Sequence, residues 1–194
     1  MAASSRKGTY FLPGLALVFG VIGADQYSKW LIMDGVLRPP GVARQSFWHW
    51  FVTVKKIGLF VILREHFRSV ALAPFLNLVM VWNQGVSFGM FNTQEPKMAL
   101  VFIGVSLAVS ALMLVWLAMS AEAPVAAALS LIVGGALGNA IDRLRFDAVA
   151  DFIDFHVRQY HWPAFNVADS CIVAGAGILM LGAFLGDTGA RRTK

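Results

Sequence analysis

Charge and cysteine are both scarce in this sequence. Of 194 residues, 14% are Asp, Glu, Lys or Arg, against 58% hydrophobic. An ordinary soluble domain is about 25% charged, so the deficit argues against a water-facing surface all round. A single cysteine, Cys171, excludes an internal disulfide framework and any multi-cysteine metal site. Its place in an apolar run is that of a packed thiol. Four histidines, His49, His66, His156 and His161, include no pair at helical spacing of three or four, so no metal site is expected. The net charge of +5 and pI near 9.7 do not come from a basic run interleaved with aromatics. That excludes nucleic acid as the expected partner and favours anionic lipid headgroups.

What the chain has instead is length without polarity. Its mean hydropathy is +0.66. Four stretches, at about residues 11–33, 98–119, 123–141 and 167–186, each reach the ~20 residues needed to cross a ~30 Å hydrocarbon core. The expected fold is an all-α polytopic membrane protein, one membrane domain over residues 1–194. Arg6 and Lys7 precede the first run as they would a signal peptide. However, the run is too long for one, holds Asp25, Gln26 and Lys29, and lacks a small-residue cleavage site. Only residues 120–122 separate the second and third runs, which predicts a tight antiparallel hairpin. Gly134 with Gly138, and Gly182 with Gly186, are spaced to let helices approach closely.

The connection over residues 34–97 divides in two. Residues 74–91, PFLNLVMVWNQGVSFGMF, are β-branched and aromatic around Asn83-Gln84-Gly85, which predicts short strands and a turn. Residues 47–67 mix Trp48, Trp50, Phe51 and Phe60 with Lys55, Lys56 and Arg64, a pattern suited to an interfacial segment in the headgroup layer. A fifth crossing there would leave Lys55 and Lys56 near mid-bilayer, at several kcal/mol.

Ionisable groups in membrane segments are costly and mark function. Helical rise puts Asp25 about 21 Å up the first run, Asn139 about 24 Å up the third, and Asp169 about 5 Å into the antiparallel fourth. All three approach one membrane face. Two carboxylates brought together share a proton and can activate water without a metal. Candidates are Asp151, in GNAIDRLRFDAVADFIDFH, and Asp169, in WPAFNVADS, but spacing alone does not prefer them to Asp25, Asp142 or Asp154. Asp154, three residues after Asp151, is expected to face the same way on a short helix. A proton relay or transporter is the alternative, although its carboxylates would be spread through the membrane depth.

Four ordered blocks decide the comparison. Asp25-Gln26-Tyr27-Ser28-Lys29, Asn83-Gln84-Gly85-Val86-Ser87-Phe88, Gly138-Asn139-Ala140-Ile141-Asp142-Arg143 with Val149-Ala150-Asp151-Phe152, and Phe165-Asn166-Val167-Ala168-Asp169 resemble the motifs of the lipoprotein signal peptidases, or signal peptidase II. The resemblance implies an aspartic endopeptidase that removes signal peptides from bacterial prolipoproteins before a diacylglyceryl-modified cysteine. It implies Asp151 and Asp169 as the catalytic pair, and Asp25, Lys29, Asn83, Gly85, Asn139, Asp142, Arg143 and Asn166 as substrate-binding or supporting residues. It further implies no cofactor, inhibition by the cyclic peptide globomycin, an inner-membrane location with both termini cytoplasmic, and a small extracytoplasmic β-containing subdomain with the site near the outer face.

Three features depart from that pattern. Asp147 stands where the family usually has glycine, and so is expected to adopt a positive φ and to add a carboxylate near the pair. Residues 38–72 are longer than the family's usual connection. Arg38, Arg44, Lys55, Lys56, Arg64 and Arg68 would lie outside, against the usual cytoplasmic excess of cations, although that rule is weak for so long a connection.

Overall fold

The computed structural model describes residues 8–38, 40–54, 69–85 and 96–191. Four of its helices are long and apolar enough to cross a membrane: Phe11–Val36, Met98–Met119, Ala123–Phe146 and Val167–Leu185. They belong to α1 (Phe11–Trp30, extended by a π-helical turn, Leu31–Val36), α3 (Pro96–Met119), α4 (Ala123–Phe146) and α5 (Val167–Arg191). The polytopic helical fold expected from composition is therefore the fold observed. Leu12, Phe19, Leu100, Leu112, Val173, Met180 and Phe184 are all more than half exposed, as lipid-facing side chains would be.

Helix α4 is the centre of the bundle and packs against α1, α3 and α5. Small residues make that possible. A Cβ on Gly134 would lie 2.6 Å from the Val21 Cβ, one on Gly138 would lie 2.7 Å from Asp25 Oδ2, and one on Gly135 would run into the Ala168 carbonyl oxygen. Gly182 behaves otherwise: a Cβ there would meet nothing within 4 Å, so Gly182 itself marks no close helix contact among the described residues.

A four-stranded antiparallel sheet, in order β1 (Val70–Ala73), β2 (Leu76–Asn83), β3 (Val149–Val157) and β4 (Tyr160–His161), caps one end of the bundle. Strand β3 follows α4 almost at once. Asp147 ends the helix with φ 59° and ψ 14°, and its N–H bonds the Arg143 carbonyl at 3.0 Å, so the positive φ expected at this position is found. A short helix α2 (Phe47–Val52), capped by Ser46 accepting from the His49 N–H, docks beside the sheet. Its Trp50 is buried with Met33, Leu37, Met80, Phe146, Ala150 and Phe152. Residues 55–68, which include the rest of the expected interfacial segment, and residues 86–91 of the predicted strand-and-turn region lie outside the described residues.

Candidate active site

Asn166 and Asp169 bracket the first turn of α5. The Asn166 Oδ1 accepts the Asp169 N–H at 2.9 Å, and the Asp169 Oδ2 accepts the Asn166 N–H at 3.2 Å. This reciprocal capping box satisfies two backbone donors and fixes the Asp169 carboxylate at the positive end of the helix dipole. The remaining oxygen, Oδ1, accepts Nδ2 of Asn139 from α4 at 2.8 Å.

Asp151 arrives from β3. Its register partner on β2 is Val81, which puts Asn83, two residues on, beside it on the same face. The Asn83 Oδ1 closes a turn by accepting the Gly85 N–H at 3.1 Å, leaving its Nδ2 to donate to Asp151 Oδ2 at 3.1 Å. The Asn166 Nδ2 donates to Asp151 Oδ1 at 2.7 Å and lies 3.1 Å from Asn139 Oδ1. Asn139 and Asn166 thus form an amide bridge with one aspartate at each end. Burial, and then the neighbouring charge of Asp169, push the Asp151 carboxyl up to about 8.

Arg143, from the last turns of α4, reaches toward Gly85 and Phe102. Its Nη2 donates to the Gly85 carbonyl at 3.2 Å, and its guanidinium stacks 5.1 Å from the centre of the Phe102 ring. Its Nε is buried with no hydrogen-bond partner among the described residues.

Beneath the aspartates, fully buried Lys29 sits between two more carboxylates, 2.8 Å from Asp25 Oδ2 and 2.7 Å from Asp142 Oδ2. The Gln26 Nε2 donates to Asp142 Oδ1 at 2.8 Å, and its Oε1 accepts from Arg145 Nη1 at 3.1 Å. Every site residue singled out from the motifs, Asp25, Lys29, Asn83, Gly85, Asn139, Asp142, Arg143, Asp151, Asn166 and Asp169, belongs to one connected polar cluster at one end of the bundle.

Asp154 is the exception among the weighed carboxylates. The expected short helix is instead strand β3, on which residues three apart point to opposite faces, so Asp154 turns away from Asp151. It accepts from Asn77 Nδ2 at 3.0 Å and pairs with His161 Nδ1 at 2.8 Å. Burial raises its pKa, but the hydrogen bonds from Asn77 and His161, together with electrostatic attraction to His161 and His156, outweigh it and hold the carboxyl below its ordinary value. His156 and His161, distant by helical spacing, are cross-strand partners with rings stacked 5.0 Å apart.

Arg145 was not anticipated from the motifs. Its guanidinium lies 4.0 Å from the Trp50 ring centre and 4.4 Å from that of Phe146, and it donates to the Trp50 carbonyl, tying α2 to Gln26. Only its place two residues beyond Arg143, just past an apolar run, could have signalled it.

Comparison with known proteins is consistent along the chain. The family model described as signal peptidase (SPase) II matches residues 17–185. A lipoprotein signal peptidase of Nitrobacter hamburgensis is 38% identical over 148 residues, 74% of this chain and 86% of that protein. One from Methylorubrum extorquens is 37% identical over 173 residues, 89% of this chain and 86% of the relative. Among solved structures, a bacterial membrane enzyme determined by the in meso method at 2.3 Å resolution superposes with a TM-score of 0.67 over 97% of this chain and 96% of the other. At 24% identity that likeness speaks for the fold alone. A matched family model covering most of the chain, relatives approaching two-fifths identity and the shared polytopic fold lead to one conclusion: the chain belongs to the signal peptidase II family.

Proposed function

We propose that this protein is an aspartic endopeptidase that removes the signal peptide from diacylglyceryl-modified prolipoproteins, cutting before the lipidated cysteine. The observation that carries this reading is the amide bridge of Asn139 and Asn166 with Asp151 at one end and Asp169 at the other. Asp169 sits at the N-terminus of α5, and Asp151, with its raised pKa, is suited to hold a proton near neutral pH. Asp169 takes a proton from water as the water oxygen attacks the scissile carbonyl. Asp151 donates a hydrogen bond to the developing oxyanion. As the tetrahedral intermediate collapses, the C–N bond breaks and the leaving amine takes the proton gained by Asp169. Arg143 and Asn83 are suited to hold the extended substrate backbone, through a guanidinium with an unspent donor and a turn fixed at Gly85.

By the same reading, both termini are cytoplasmic in the bacterial inner membrane, and the sheet and α2 lie at its outer face. The exposed Trp48 on α2 suits the headgroup layer. A proton relay fits less well, since the buried ionisable groups among the described residues gather at one end of the bundle instead of spreading through its depth.

The test is incubation of the purified full chain in lipid with a diacylglyceryl-modified prolipoprotein, read by gel shift. Cleavage before the lipidated cysteine, blocked by globomycin, is expected; an intact precursor would refute the assignment. The pH profile of kcat/KM should carry an alkaline limb near pH 8, where Asp151 loses its proton. Because the Asn83 hydrogen bond lowers the Asp151 pKa, Asn83→Leu should move that limb to higher pH, and an unmoved limb would assign it to another group. EDTA and thiol reagents should leave the rate unchanged. Inhibition by EDTA that zinc reverses would replace the metal-free mechanism.

A further inference from the structure

Two backbone donors adjoin the aspartate pair, and each is held by a buried carboxylate. The Ala168 N–H, immediately before Asp169, donates to Asp25 Oδ1 at 3.0 Å. The Ala150 N–H, immediately before Asp151, donates to Asp142 Oδ2 at 3.1 Å. Ala168 lies in the first turn of α5, where a backbone N–H has no acceptor within its own helix. Asp25 supplies one from α1. Asp142 in the same way ties β3 back to α4.

Both carboxylates close on the Lys29 ammonium, Asp25 through Oδ2 at 2.8 Å and Asp142 through Oδ2 at 2.7 Å, and all three side chains are inaccessible to solvent. Without the ammonium, two buried anions would face each other, with Gln26 alone donating to both. Like charges at such range repel strongly in a poorly solvated interior. Lys29 also lies 3.4 Å from Asn139 Oδ1, the centre of the amide bridge. An ammonium presents three donors, and here each has an acceptor.

We infer that Lys29 is a positioning residue that sets the separation of Asp151 and Asp169, by drawing together the two carboxylates that anchor the chain just ahead of each. This rests on the proposed roles of those aspartates. The geometry makes Lys29 more than a counterion, because its two partners reach different arms of the site: Asp25 reaches α5 and Asp142 reaches β3. Losing the ammonium releases both arms at once. Misplacement of reacting groups by about 1 Å can cost about 100-fold in rate.

The experiment uses the full-length protein in nanodiscs and two readouts. The first is hydrogen exchange at the Ala150 and Ala168 amides, which needs no substrate. The second is kcat and KM on a synthetic peptide bearing diacylglyceryl-cysteine. In Lys29→Met both amides should exchange faster while the interior of α4 keeps its protection, and kcat should fall about 100-fold with KM nearly unchanged. Should that variant lose protection throughout or fail to fold, the neutral variant Lys29→Met/Asp25→Asn/Asp142→Asn decides, since it removes the charge imbalance and retains an amide acceptor for each N–H. It should fold, yet still exchange fast at both positions and turn over slowly. Parent-like exchange in Lys29→Met, or recovery of both exchange and kcat in the neutral variant, would overturn the inference and leave Lys29 a counterion. An unmodified protein that shows protection but no cleavage would count against the proposed function and leave the clamp standing.

Discussion

Asp151→Asn and Asp169→Asn are each expected to lower kcat by about 10²- to 10⁴-fold, the range of a lost general acid or base, while the protein still inserts and folds. At 169 an asparagine keeps one oxygen for the capping box or for Asn139, but not for both, so one hydrogen bond is lost. At 151 the new amide meets two donors, Asn83 and Asn166, and can accept from only one. Against that loss stands a gain that depends on pH. The folded-state pKa of Asp151 lies near 8 against an ordinary 3.8, so the native state binds the extra proton and its stability falls as pH rises between those values. Asp151→Asn carries no such dependence. Its melting temperature relative to the unmodified protein should therefore climb from pH 5 to pH 8. Turnover near that of the unmodified protein in either variant would move the catalytic pair elsewhere, with Asp142 the next to test. A melting difference that does not change with pH would show that Asp151 does not titrate in that window.

How much of this was legible in the sequence follows from which forces act locally. The four crossings were readable because hydrophobic length is a local property, and α1, α3, α4 and α5 fall where it placed them. Helix α4 runs to Phe146, beyond the apolar run at about 141, because Arg143 and Arg145 find the Gly85 carbonyl, Trp50 and Gln26 as partners. Composition counts such residues as hydrophilic and stops short of them. The residues of the candidate site were singled out through motif resemblance, and their convergence on one end through helical rise, yet neither could reveal the bonds among them. The capping box at Asn166 and Asp169 is a three-residue spacing that could have been read directly. Asp154 was misplaced for want of the strand period: after the sharp turn at Asp147 the backbone follows β2, and a helical count of three no longer keeps residues on one face. Arg145 and its cage of Trp50, Phe51 and Phe146 depend on α2, nearly a hundred residues away in sequence, so only the fold displays it.

The glycines give the second large effect, because the same residue type does opposite things at two places. Gly135→Ala should destabilise the bundle by about 1–3 kcal/mol, the usual cost of overpacking, and lower activity with it. Its new methyl meets the Ala168 carbonyl oxygen, a backbone atom that cannot turn aside, and Ile172 Cγ1 at 2.7 Å. Moving α5 away from α4 to relieve that clash would stretch the Asn139 to Asp169 bond and the Ala168 to Asp25 bond together. Gly138→Ala presses at 2.7 Å on Asp25 Oδ2, a carboxylate already pinned by Lys29, Gln26 and Ala168, so it should cost activity more than stability. Gly182→Ala is the contrast. With open space around it in a helix interior, alanine should be neutral or stabilise by up to about 1 kcal/mol through helix propensity alone. Melting temperature and turnover of the three variants in one lipid separate these cases. Equal behaviour of Gly135→Ala and Gly182→Ala would mean that α4 and α5 do not approach as closely as the shared network of Asn139, Asp25 and Asp169 requires.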